Sequence, residues 1–242
     1  MIIRIMKINL EILKHAMAAQ TFKNDLVSNN IANINTTGFK RDILFLDMID
    51  LYNTNYDNKN RLTEHGQGTM KETGNPLDLA FSGKGYFVME GKNQEYYTRD
   101  GHFSIDSEGF LVNSEGYKVL GEGGWINLSL DGAKSGSVSI SKVGEIFVND
   151  EYVDMLKVVD FEDYTHLKKE GINFISTNKD IKPFEPEVYM LLQNHLEGSN
   201  VSSVNEMVEL ISLQRDFEST HNAVKTIDTA LGKAANDIGR YR

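Results

Sequence analysis

Proline is kept out of both ends of this chain, and glycine out of the first. The prolines are Pro76, Pro183 and Pro186, and no glycine precedes Gly38. Proline breaks a helix interior and glycine weakens one, so long helices belong at the two ends and turns in the middle.

Apolar spacing agrees. Ile5, Ile8, Ile12, His15, Ala19, Phe22 and Leu26 advance by alternating steps of three and four, as do Met6, Leu10, Leu13, Met17, Gln20, Asn24, Val27 and Ile31. Two adjacent seams make one wide face, which suits burial against more than one partner helix or against a sheet of the same chain. This helix is predicted to end within Ser28 to Gly38, where Asn29, Asn30, Asn33, Asn35 and Gly38 tolerate left-handed backbone and cap helix ends. Near the other terminus, Leu210, Leu213, Phe217, Thr220, Val224, Ile227, Leu231 and Ala234 repeat the alternation, and Val204, Met207, Val208 and Ile211 broaden the stripe at its start. Ser203 and Glu206 have capping-box spacing, so a helix is expected from about Val204 to about Ala235. At about 1.5 Å per residue it would be about 45 Å long, more than a compact domain normally holds, so something outside must bury part of it.

The middle reads as β structure. Tyr86 to Met89, Tyr96 to Thr98, Gly109 to Val112 and Ser137 to Ile140 are short apolar or β-branched runs separated by turn chemistry. Two turns share one form, Asp106-Ser107-Glu108-Gly109 and Asn113-Ser114-Glu115-Gly116, each followed by an aromatic residue; a polar start with glycine at the fourth position suits a type I turn closing a hairpin. The expected fold class is α+β: long N- and C-terminal helices packing as a coiled-coil-like pair, with a central all-β domain of short antiparallel strands. Along the chain this gives an N-terminal helix and its exit at 1–44, an extended linker at 45–75, the β domain at 76–182, an extended return segment at 183–202 and the C-terminal helix at 203–242.

The search for chemistry returns little. A formal charge of −10, from 25 basic and 35 acidic residues, argues against a generic nucleic-acid binder, although residues 1–41 are locally basic. With no cysteine there is no disulfide framework, thiolate site or cysteine nucleophile. Arg4, Lys7, Glu11 and Lys14 interrupt the opening apolar run, so no cleavable export signal and no spanning helix are expected. The acidic loops around Asp100, Asp106 and Glu108 lack the alternating ligands of a calcium loop, and Ser82-Gly83-Lys84-Gly85 lacks the remainder of a phosphate loop. His15, His65, His102, His166, His195 and His221 form no helical metal pair, and no nucleophile, base and orienting acid are matched. Catalytic, cofactor-binding and metal residues are therefore predicted to be none, and the chain is predicted not to be an enzyme.

Ser28-Asn29-Asn30-Ile31-Ala32-Asn33-Ile34-Asn35-Thr36-Thr37-Gly38-Phe39-Lys40-Arg41 closely resembles the signature of flagellar axial proteins, the family of rod and hook subunits. Thr73 to Ala80 with Gly83, Gly85 and Tyr86 to Val88 resembles the opening of that family's β domain, and Tyr97 to Asp106 on to Gly121 resembles its hairpins. Leu196-Glu197-Gly198-Ser199-Asn200-Val201, leading into Glu206 to Val208, Ile211, Gln214, Arg215, Phe217, Glu218 and Lys225, is similar to its C-terminal helix. Leu10 to Met17 departs from the family's usual Tyr- and Gly-containing start, and Met6 is an alternative first residue. The length favours a rod subunit over a hook subunit, and the ending from Gly232 to Arg240 resembles the proximal more than the distal rod type.

The resemblance implies a structural subunit of the basal-body rod, exported unfolded by the flagellar type III apparatus without a cleaved signal into the periplasmic rod. Its partners would be copies of itself and other rod and hook proteins, with no cofactor, nucleic acid or small-molecule substrate. Seams and motifs together mark Leu10, Leu13, Met17, Phe22, Leu26, Asn29, Asn30, Ala32, Asn33, Thr36, Gly38, Phe39 and Lys40 as assembly residues at the first end. At the second end they mark Leu196, Glu197, Ser199, Asn200, Val201, Met207, Ile211, Gln214, Arg215, Phe217, Val224, Ile227 and Leu231. Lys40 and Arg41 are expected to meet acidic surfaces of neighbouring subunits. The rival readings are a distal rod or hook-type subunit, a self-contained coiled-coil binding protein and a periplasmic enzyme using carboxylates of the β domain.

Overall fold

The computed structural model describes residues 2–45, 61–91, 94–129, 137–177 and 182–240, the side chains of 2–9 and 234–240 excepted. The seam side chains of Ile5, Met6, Ile8 and Ala234 and residues 46–60 of the expected 45–75 linker lie outside what is described. Within it the chain is α+β: helix α1 (Ile2–Ala32), a central antiparallel β region, and helix α2 (Ser203–Arg240). No described helix is long and apolar enough to cross a membrane. Two compact units emerge, one from residues 1–32, 42–64 and 201–242, the other from 33–41 and 65–200.

In the first unit α1 and α2 run antiparallel. Asn30 donates to Glu206, Lys23 is ion-paired with Glu209, and Gln20 donates to Thr220, so residue numbers rise on one helix as they fall on the other. Leu26, Val27 and Leu213 are buried. α2 starts one residue earlier than expected and runs further, to Arg240. Its first turn is closed by Ser202, whose carbonyl accepts from Glu206 N at 3.0 Å and whose hydroxyl accepts from Asn205 N at 3.5 Å. The Glu206 carboxylate is turned toward Asn30. A short hairpin pairs Asp42–Leu44 with Arg61–Thr63.

The second unit is organised around the strand Tyr86–Glu90, which is flanked by Glu95–Thr98 and by Lys118–Gly121. Side chains alternate across a strand, and here both faces are covered. Phe87 and Met89 enter one core with Phe81, Phe103, Leu111, Ile126 and Leu156, whereas Tyr86 and Val88 enter a second with Tyr97, Phe161 and Phe174. Complete burial of such side chains is worth roughly 1.5–3 kcal/mol each, which is why this strand is apolar from Tyr86 to Met89 and turns polar only at exposed Glu90. The meander Val138–Ile140, Glu145–Val148, Glu151–Met155 adds Ile140, Ile146 and Val148 to the first core. The return segment is strand for much of its length: Tyr189–Gln193 pairs with Leu79–Gly83, and His195–Glu197 with Met70–Glu72.

Both anticipated turns form, and they form alike. Asp106 Oδ1 accepts from Glu108 N at 2.9 Å and Phe110 N at 2.8 Å; Asn113 Oδ1 accepts from Glu115 N at 3.0 Å and Tyr117 N at 2.9 Å. Each closes on a glycine in the left-handed region, Gly109 at φ 88° and Gly116 at φ 81°, where a side chain would be strained.

Candidate functional site

Four motifs separated in sequence converge inside the second unit. Gly38 N donates to Glu197 O at 2.8 Å, Asn200 N to Phe39 O at 3.4 Å and Arg41 N to Asn200 Oδ1 at 2.7 Å. These bonds lay residues 38–41 beside 197–200, running in the same direction. Gly38 has φ +66°, and a Cβ there would collide with the backbone of Arg99 and Asp100. Only glycine fits both the torsion and the approach. The third motif is thereby held against the first. Asp100 accepts from His102 N at 3.2 Å and from the Thr37 hydroxyl; burial pushes its carboxyl above the usual range, and those two donors oppose the shift. The Thr73–Ala80 motif joins through Asp78, which meets His102 Nδ1 at 2.8 Å and accepts from Asn75 Nδ2 at 2.9 Å.

At the centre lies a charge cluster closed to water. Lys40, Arg99 and Glu197 are 0%, 3% and 0% exposed. Lys40 Nζ donates to Glu197 Oε1 at 2.5 Å and to Gly66 O at 2.8 Å. Glu197 Oε1 also accepts from Gly68 N at 2.8 Å, and its Oε2 from Arg99 Nη1 at 3.3 Å. The Arg99 guanidinium lies over the rings of Phe81 and Tyr86, at 5.2 and 5.1 Å from their centroids. Burial, the largest influence, pulls the Lys40 amine below its ordinary value, while the Glu197 carboxylate holds it up. Burial likewise raises the Tyr86 phenol. Phe39 is buried under Lys169, whose Nζ sits 3.6 Å from the ring centroid and donates to Lys40 O at 2.5 Å.

The structure thus gives Lys40 partners within its own chain instead of a place on the surface. Its Nζ is committed to Glu197 and Gly66, because a lysine buried among motifs of one subunit must be neutralised there. Of the other marked residues, Gly38, Phe39, Glu197 and Ser199 are buried in the second unit, and Asn33, Thr36, Leu196 and Asn200 are partly buried there. In the first unit Asn30 is buried: it donates to Asp42 O at 2.8 Å and accepts from Asp42 N at 2.9 Å, pinning the end of α1 to the hairpin. Asp42 in turn accepts from Thr63 Oγ1 at 2.7 Å and is ion-paired with Arg61. Leu26 and Val201 are buried. Leu10, Leu13, Met17, Phe22, Val224, Ile227 and Leu231 are partly buried, while Asn29, Ala32, Gln214 and Arg215 are exposed.

Phe217, placed on the α2 seam by spacing, is 39% exposed and lines a cavity of about 320 Å³ with Gln20, Asn24 and Leu213. More apolar surface lies at the start of α2, where Val204, Met207, Val208 and Ile211 are 68%, 53%, 62% and 50% exposed. They recur at i, i+3, i+4 and i+7 and so form one stripe. Periodicity had located this stripe, but spacing alone does not tell which seam α1 covers. The convergence of Lys40, Arg99 and Glu197 had a sequence signal, since each sits within a motif, yet nothing in a motif says that its charge points inward. Among the described residues no cluster of acids and histidines could hold a metal.

Open apolar stripes on a helical hairpin, together with motifs committed to internal bracing, define a structural subunit made for assembly. Comparison with known sequences agrees. Residues 10–40 match the family described as flagella basal body rod protein, residues 80–148 the flagellar hook protein FlgE/F/G D1 domain, and residues 192–237 the flagellar basal body rod FlgEFG protein C-terminal region. The flagellar basal-body rod protein FlgF of Caulobacter vibrioides is 34% identical over 233 residues, 89% of this chain and 91% of that one. FlgG of Agrobacterium fabrum is 31% identical over 256 residues, covering 90% and 95%. FlgF of Mesorhizobium japonicum is 28% identical over 240 residues, covering 97% and 99%. The chain belongs to the FlgF and FlgG family of flagellar basal-body rod proteins, and is a structural subunit of the basal-body rod, not an enzyme.

Proposed function

We propose that this subunit builds the periplasmic part of the flagellar drive shaft. The seams of α1 and α2 pack as a coiled-coil-like pair within each subunit, and the open stripe on α2 stacks against copies of the chain and against other rod and hook proteins. That is an open, heterologous contact, which extends along a tube instead of closing on itself. The exposed run Val204, Met207, Val208 and Ile211 is the observation that carries the reading, because a soluble monomer gains nothing from an apolar stripe opposite the face it already buries. Division into end helices, linker, β domain and return segment at 1–44, 45–75, 76–182, 183–202 and 203–242 follows the same logic, with the terminal elements for assembly and the middle for individuality. Export as an unfolded chain through the flagellar type III apparatus, with no cleaved signal, goes with this role. The near end-to-end match to a FlgF of similar length supports a proximal position, while the FlgG matches favour a distal one.

The test is to place Met207→Glu and Ile211→Glu together in the native gene. Both side chains are exposed, so the isolated protein should keep its stability to within about 0.5 kcal/mol. Burying carboxylates at a subunit contact should abolish swimming, and imaged basal bodies should lack the rod beyond the point of incorporation. Where the rod stops distinguishes the proximal from the distal position. Normal flagella on cells carrying both substitutions would sink the assembly reading.

A further inference from the structure

The buried charge cluster draws on three distant parts of the chain, and its acid comes last. Lys40 and Arg99 supply two cations, and Glu197, supplied by the return segment, is the acid that meets both. Without it they would rest on neutral groups: the carbonyls of Gly66 and Gly83 and the faces of Phe81 and Tyr86. Arg99 Nε already lacks a hydrogen-bond partner. Removing the acid from a buried ion cluster is among the costliest changes a fold can suffer, because the cations stay desolvated. The same segment completes the unit in two further ways. Tyr189–Gln193 covers the strand Leu79–Gly83 and sends Leu191 into the core, and His195–Glu197 covers Met70–Glu72.

We propose that Glu197 is a folding latch, which keeps the second unit from closing until residues 189–200 of the return segment are present. Everything up to the start of α2 must therefore be available before this unit can bury its charges. For a subunit exported as an unfolded chain, an advantage that rests on the export reading above, the delay keeps the larger part of the protein threadable until its C-terminal part has been made or delivered. Lys40 and Arg99 serve as the sensors: each is tolerated inside only when the carboxylate has arrived.

Refolding of the full chain tests the latch. Trp125, the chain's single tryptophan, belongs to the second unit and reports its closure by fluorescence. Glu197→Gln keeps the shape and removes the charge. Refolding from urea should slow at least about tenfold, with unfolding changed far less, as for a contact already made in the transition state. Adding Lys40→Met to Glu197→Gln should recover part of the lost rate, since one stranded cation is gone. Should Glu197→Gln not fold at all, Glu197→Asp, which keeps the charge and shortens the reach, carries the same comparison with intermediate slowing. Refolding at the wild-type rate with accelerated unfolding would overturn the proposal, because the unit would then close before the latch sets. So would a double variant that refolds no faster than Glu197→Gln. None of these steps passes through secretion. The export reading falls separately, if the intact chain fails to leave cells with a working flagellar apparatus.

Discussion

The hydrogen atom on the Cα of Gly38 is all that the space beside Arg99 and Asp100 admits. Gly38→Ala adds a methyl group where φ is +66° and where the obstacle is backbone, which cannot rotate away. The expected cost is roughly 2–4 kcal/mol, read as a lowered urea midpoint of the Trp125 signal, since left-handed strain and overpacking act together. Asp100 gives a dependence on pH. Its folded-state pKa lies above the ordinary value of 3.8, mainly through burial. A raised acid contributes stability that is complete below the unfolded pKa and lost as pH rises through the folded one. Asp100→Asn, which never ionises, should therefore gain on the wild type as pH is raised from acid to neutral in paired urea titrations. A constant difference across that range would show that the Asp100 charge carries no such penalty. At this scale the sequence was half legible. The motif around Lys40 announced its importance, but a lysine near the end of a helix reads as a surface charge until its carboxylate is found far along the chain.

Elements were the most legible level, for a physical reason. Helix seams and the paired Asp106 and Asn113 turns depend on residues within a turn or two of one another, and local spacing records such contacts. The α2 seam was legible too, apart from Phe217, where a cavity beside Gln20 and Asn24 stands in place of close packing. The two faces of α2 should answer differently to truncation. Leu213, buried against α1, should cost roughly 2–4 kcal/mol as Leu213→Ala, whereas exposed Met207→Ala should stay within about 0.5 kcal/mol. Far-UV circular dichroism during urea unfolding measures both. Equal losses would mean that the stripe at Met207 is already covered in the isolated subunit. The ion pair of Lys23 with Glu209 is half-exposed and contributes little by comparison.

Across the whole molecule, pairing was the least legible property. A strand as short as Val158–Val159 carries too few residues for an alternation to be read, and its partner, Tyr86–Phe87, lies far away in the chain. The return segment read as extended chain running from two prolines to the motif at Leu196 to Val201, yet it supplies two strands, one core leucine and the central carboxylate. What had looked like a spacer is the closing piece of the second unit. Its alignment with the signature has a mechanical meaning. Residues 38–41 and 197–200 run the same way, joined by Gly38 to Glu197, Phe39 to Asn200 and Arg41 to Asn200. Tension entering at the start of the first strip and leaving at the end of the second pulls a parallel pair from opposite ends. Such a load falls on all the bonds and on the Lys40–Glu197 contact together, in shear, and does not peel them one at a time.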